Sequence, residues 1–152
     1  MKHLKLYIIL AMGLFALAFT SCNPYPEGPL FGLHTPEYRI IGTWQIAHTY
    51  LNGEETDSTA FNANNPGAFY YFYADHVLMV AATYNGLVRE SGFASYRLSD
   101  DNKQLLIDFT LARRYNYVAD IKRLTRKEMI YEYDDEFNNH WRIEMYSRSS
   151  TY

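Results

Sequence analysis

The side chains able to do chemistry in this sequence are few and scattered. The one cysteine, Cys22, stands at the end of an apolar run. The five histidines do not cluster, and only His48 and His76 fall in runs that could place them near an interior. Catalysis needs a nucleophile beside a base, paired carboxylates in a cleft, or grouped metal ligands. The chain has no Gly-x-Ser-x-Gly, no His-Glu-x-x-His, no Cys-x-x-Cys and no glycine-rich phosphate loop. Asp134, Asp135 and Glu136 are contiguous, but the glycine and the spaced ligands of a calcium loop are missing, so they read as a solvated turn. No catalytic residue, metal site or cofactor follows from the sequence, and the expectation is a protein that is not an enzyme.

Cys22 carries a different chemistry. Lys2 and Lys5 precede 14 apolar residues, Leu6 to Phe19, and Thr20-Ser21 lead into the cysteine. This is the layout of a secretory signal, too short for a comfortable membrane span. A signal ending at a cysteine resembles the lipobox of bacterial lipoproteins, which implies acylation of the Cys22 thiol and cleavage before it. With a single cysteine no disulfide can form within the chain, and acylation would cap a thiol bound for an oxidising compartment. Asn23 follows the cysteine instead of the inner-membrane retention residue, Asp, so the outer membrane is the expected address. Residues 1–21 are thus read as signal peptide.

Loss of Lys2 and Lys5 with that peptide takes the formal charge from −3 to −5. Arg113–Arg114 and the bases between Lys122 and Lys127 are flanked by Asp120 and Glu128. Phosphate binding needs clustered Lys and Arg, so no nucleic-acid partner is expected. Residues 22–38 hold four prolines and two glycines and read as an extended tether that is not a packed element. Residues 39–152 then form one domain.

The elements that position any site in that domain are strands. Fifteen tyrosines and nine phenylalanines favour the extended chain, and turn signals separate about eight short runs. Asn52–Gly53 and Asn85–Gly86 are hairpin signals, 54–66 is the longest loop, and Gly92 marks a bulge or kink. Period-two alternation with one wet face predicts antiparallel pairing, hence an all-β meander closed as a barrel or packed as a sandwich. By that count Trp44, Ile46, His48 and Tyr50 share one face. Tyr71, Tyr73, Phe109, Tyr117, Ile121, Tyr131, Tyr133, Trp141 and Ile143 point to the interior, opposite Gln45, Asp108, Asp120, Glu132, Arg142 and Glu144.

The order Ile40-Ile41-Gly42-Thr43-Trp44, Asn52-Gly53, Phe72-Tyr-Ala-Asp75, Ser99-Asp-Asp-Asn-Lys-Gln-Leu105 and Ile121-Lys-Arg-Leu-Thr125 resembles bacterial lipocalin-like lipoproteins over about residues 38–147. The resemblance implies an up-and-down barrel of about eight strands. It gives Gly42 and Trp44 structural roles, with Trp44 across the closed end against a basic residue, Arg142 or Arg123. It also implies a small apolar ligand. Tyrosine joins apolar bulk to a polar tip, so Tyr50, Tyr71, Tyr73, Tyr117, Tyr131 and Tyr133 are the expected lining for an apolar or amphipathic molecule. Two functions stay open: a membrane-anchored ligand-binding barrel, and a structural or interaction lipoprotein with a filled core that docks onto an envelope protein. An eight-stranded barrel is near the size that side chains alone can fill.

Overall fold

The computed structural model describes residues 25–29, 34–56, 69–84, 87–109 and 117–148. After a short helix α1 (Pro36–Ile40) come β1 (Gly42–Leu51), β2 (Glu54–Thr56), β3 (Phe69–Phe72), β4 (Val77–Tyr84), β5 (Leu87–Leu98), β6 (Gln104–Asp108), β7 (Tyr117–Leu124), β8 (Glu128–Asp134) and β9 (His140–Ser147). Every strand pairs antiparallel with its neighbour in the chain from β3 to β9, and β1 closes the ring by pairing with both β3 and β9. The result is a closed, all-β, up-and-down barrel of eight strands, consistent with a lipocalin-like fold. The short β2 lies on the same edge of β1 as β3, beyond the Asn52–Gly53 turn. Both turn residues have positive φ, 53° and 87°, as a two-residue hairpin turn matched to strand twist requires. The other expected hairpin turn, Asn85–Gly86, and most of the 54–66 loop lie outside the described residues.

Alternation along the strands builds the core. Trp44, Leu78, Leu105, Leu124, Met129 and Ile143 are among its fully buried side chains. Each large apolar side chain sealed in this way contributes about 1.5–3 kcal/mol. The outward positions of β8 and β9 carry Glu132, Asp134, His140, Arg142 and Glu144.

Four expectations need correction. The ladder between β1 and β9 slips between Ile46 and His48, so the inward sequence is Trp44, Ile46 and then the fully buried Thr49. A bulge holds one unpaired residue, which inverts the alternation beyond it. His48 and Tyr50 therefore face outward. His48 bonds Glu55 at 2.6 Å, and Tyr50 stands opposite Arg142.

The parity of the aromatic strand β3 is also inverted. Its pairing sets Tyr70 opposite Trp44 and Phe72 opposite Gly42, so Tyr70 and Phe72 face the core. Tyr71 and Tyr73 lie on the outside, their rings stacked 6.5 Å apart. Gly92 is not a bulge: it pairs regularly with Val80, and the register shift lies further along, between Ala82 and Thr83 of β4.

The fourth correction concerns the stretch read as a free tether. Tyr25 is 1% exposed and belongs to the core. Thr35 accepts a hydrogen bond from the Tyr38 amide at the start of α1, with Pro36 next in the chain, and Ile40 at the other end of the helix is buried. Pro and Gly signal the absence of regular repeats, and here residues 25–29 are irregular yet docked.

Candidate functional site

The two halves of the barrel differ in how completely they are filled. At the end where β1 begins and β9 finishes, α1 and Tyr25 cover the interior. Gly42 opens β1 at φ 142°, a backbone conformation suited to glycine. The Trp44 ring, 1% exposed, lies beneath, and its indole N–H donates to the Ile40 carbonyl at 2.8 Å. Neither of the expected arginines meets it: Arg142 and Arg123 both turn outward, to Glu27 and Glu128 respectively. The helix-end carbonyl takes the place of the basic residue that the resemblance implied. Tyr96 packs edge-on to Phe72 and donates its hydroxyl to the Tyr73 carbonyl at 2.7 Å, which fastens the β3–β4 turn across the same end.

Further along the barrel the inward side chains are only half-buried: Tyr70, Val80, Phe109, Tyr133 and Trp141 pack against the core without being sealed by it. The row running across the sheet from Trp44 passes through Tyr70 and Val80 to Gly92. Gly92 shares its face with the buried Ala94 and Tyr96, so a side chain there would point inward. Yet Gly92 is exposed, and a Cβ placed on it would meet nothing within 4 Å. An inward position that is both open and exposed marks accessible space inside the barrel.

Tyr70 adds chemistry to that space. Burial, and then the neighbouring Tyr133 hydroxyl, pushes its own hydroxyl up to about 12, so it stays a neutral donor at any physiological pH. Among the described residues that hydroxyl has no hydrogen-bond partner. Tyr133 is raised as well, first by burial and then by the Asp135 carboxylate. The Tyr133 ring stacks on that of Tyr131, with centroids 6.4 Å apart, and Tyr131 itself is buried deeper.

Asp135 organises the rim on this side. Its carboxylate accepts from the Trp141 indole at 2.9 Å, from the Phe137 and Asn139 amides at 2.9 Å each, and from the Asn139 side chain at 3.1 Å. These bonds, the Trp141 one foremost, hold its pKa down at about 2. The Asp135 carboxylate thus serves the turn itself, while that of Asp134 meets His140 at 2.8 Å. Among the described residues no three His, Cys, Asp or Glu side chains gather as they would around a metal ion.

Of the six tyrosines expected as lining, Tyr131 and Tyr133 are inside, while Tyr50, Tyr71 and Tyr73 are outside. Tyr117 pairs with Ile107, and its side chain lies outside the described residues. Counting missed Tyr70, Tyr96 and Gly92. Tyr70 shares with Phe72 the alternative parity of the same aromatic run, while Gly92 gives an inward position no mark in a hydropathy pattern.

The outer face carries a second cluster. Arg142 receives Glu27 on two nitrogens at 2.7 Å each, Glu132 at 2.9 Å and Glu144 at 2.9 Å. Lys122 bonds Glu132 at 3.2 Å, and Arg123 donates to the Glu27 carbonyl at 2.7 Å. An open depression of about 420 Å³ beside this cluster is lined by Tyr50, Gly53, His140, Glu132, Arg142 and Glu144. Its charges are already matched to one another, so it clasps the N-terminal segment to the barrel and offers no unmet charge to a ligand.

No protein-family model matches this chain, and no curated protein matches it in sequence.

Proposed function

We propose that the protein is a lipid-anchored, lipocalin-like lipoprotein of the cell envelope that holds a small apolar or amphipathic ligand in the half of the barrel away from α1. The observation that carries this reading is Gly92: an inward position in the middle of a barrel strand, exposed and with open space where a side chain would lie. Apolar walls with a few placed polar groups are the usual make-up of a ligand pocket. Val80, Phe109 and Trp141 supply apolar surface and Tyr70 and Tyr133 the polar tips. Such lining suits binding, and the reading assigns no reaction. The Cys22 pattern supports the anchor and Asn23 the outer membrane.

The test is a titration of the chain from Asn23 onward, which lacks the acylation site, with an apolar environment-sensitive dye, read by tryptophan quenching. Trp141 stands beside the proposed space and Trp44 at the closed end. Saturable binding that weakens in Tyr70→Phe and Tyr133→Phe supports the reading, and absence of saturable binding sinks it. The anchor is tested separately: Cys22→Ala should move the protein out of the membrane fraction.

A second reading, an interaction lipoprotein that binds an envelope protein, draws on the outer face of β3 to β5. Tyr73 and Phe93 are 44% and 49% exposed there, with Tyr71 beside them. Loss of partner capture in Phe93→Ser with unchanged dye binding would favour it.

A further inference from the structure

Two surfaces at the closed end differ in charge. The β3–β4 and β5–β6 turns carry Asp75, Asp100 and Asp101 against one base, Lys103. The opposite side, made of α1, the β7–β8 turn and the end of β9, carries Arg126, Lys127 and Arg148, all exposed and none paired with a carboxylate among the described residues. Glu37 and Glu128 are the acids on this side, and Glu128 is held by Arg123 at 2.7 Å. Between the bases lie exposed apolar side chains: Tyr38 at 51%, Ile41 at 41% and Tyr146 at 37%. The Arg126 guanidinium covers the Tyr38 ring at 5.2 Å and that of Arg148 the Tyr146 ring at 5.9 Å. Tyrosine rings bracketed by bases, with an apolar side chain beside them, match the chemistry of a headgroup layer. There amphipathic rings settle at the interface and each base is attracted to anionic lipid.

The path of the chain points to the same side. Tyr25 is sealed beside Arg39 and Glu37 of α1. Cys22 lies three residues earlier, and at about 3.5 Å per residue its sulfur-bearing residue is within about 11 Å of that seal. We infer that this side of the closed end rests on the membrane surface, with the open half of the barrel directed away from it. The inference rests on acylation at Cys22, and it replaces a domain held at a distance on a long tether by one seated directly on the bilayer.

The experiment uses the full chain, processed in cells and purified from membranes, reconstituted into vesicles of phosphatidylethanolamine and phosphatidylglycerol. An environment-sensitive fluorophore is placed at Lys127→Cys or at Phe137→Cys. Phe137, 75% exposed, sits in the β8–β9 turn at the other end of the barrel. Brominated lipid should quench the label at 127 and leave that at 137 unchanged. Arg126→Gln or Arg148→Gln should each lower the docked-to-undocked ratio about fivefold, the factor expected for one base at an anionic surface. Equal quenching at both positions, quenching at 137 alone, or none at either overturns the inference, including the case in which crosslinking finds a second copy or another protein on this face. Mass spectrometry of the Cys22 peptide separates the two failures: a free thiol there defeats the anchor, whereas an acylated Cys22 with an unquenched 127 defeats only the seating.

Discussion

Replacement of Gly92 by leucine gives opposite results for an open and a filled interior. Glycine within a strand costs about 0.5–1 kcal/mol relative to alanine through lost chain entropy. Gly92 pairs regularly with Val80, and its φ lies outside the positive range, so its backbone accepts a side chain. A leucine there enters space in which even a Cβ meets nothing within 4 Å. Fully burying a leucine is worth about 1.5–3 kcal/mol, and partial burial a fraction of that. Gly92→Leu should therefore stabilise the fold by about 1–3 kcal/mol. Were the interior packed, the same change would overfill it and destabilise by about 1–3 kcal/mol. The sign decides. Urea unfolding with an unchanged slope gives the shift in midpoint, and the apolar dye reports the site, which the leucine should occupy and block. A lowered midpoint, or dye affinity equal to that of the parent, refutes the reasoning.

Trp44→Ala should cost about 3–5 kcal/mol as a large-to-small core change, while Trp44→Phe keeps most of the bulk and loses chiefly the bond to Ile40, about 1–3 kcal/mol; urea midpoints check both. Glu27 has its pKa lowered, chiefly by its hydrogen bonds to Arg142. Its contribution is thus complete above the ordinary carboxyl value and is lost as pH falls towards the folded one. Because that carboxylate is 38% exposed and screened, Glu27→Gln should cost only about 1 kcal/mol at neutral pH, with a smaller loss of stability on acidification than the parent. Asp135 is also lowered, from 3.8 to about 2, so Asp135→Asn should remove the part of the acid sensitivity that falls between those values, read by near-ultraviolet dichroism of Trp141.

Strand identity was legible because hydropathy alternates and because Asn52–Gly53 has one favoured geometry. The run from Trp141 to Met145 read correctly, since Arg142 and Glu144 leave only one face that can be buried. In β3 the run Phe69-Tyr-Tyr-Phe-Tyr73 is aromatic on both faces, so composition cannot choose between them. The choice is made by a neighbour, Trp44, through its pairing with Tyr70. The docking of residues 25–29 was not legible either. It depends on Glu27 meeting Arg142, 115 positions away, and no local pattern announces such a pair.

The bulge in β1 joins the two surfaces of this barrel. Without it, regular alternation would send His48 and Tyr50 into the interior with Trp44 and Ile46. The slip turns the smaller Thr49 inward instead, where it is satisfied by the Thr56 hydroxyl at 2.6 Å and needs no third partner to be buried. Two bulky side chains thereby leave the interior, on a strand whose row across the sheet ends at the open position Gly92. Outside, Tyr50 arrives opposite Arg142, the residue that clasps Glu27 and so fixes residues 25–29 on the barrel wall. A single unpaired residue thus lightens the interior filling and adds a neighbour to the clasp that seats the N-terminal segment. Deleting Ala47, the unpaired residue, should remove the bulge yet leave Thr49 inward and His48 and Tyr50 outward, because Thr49 then follows Ile46 at the period-two spacing; near-ultraviolet dichroism and a urea midpoint close to the parent's would check it.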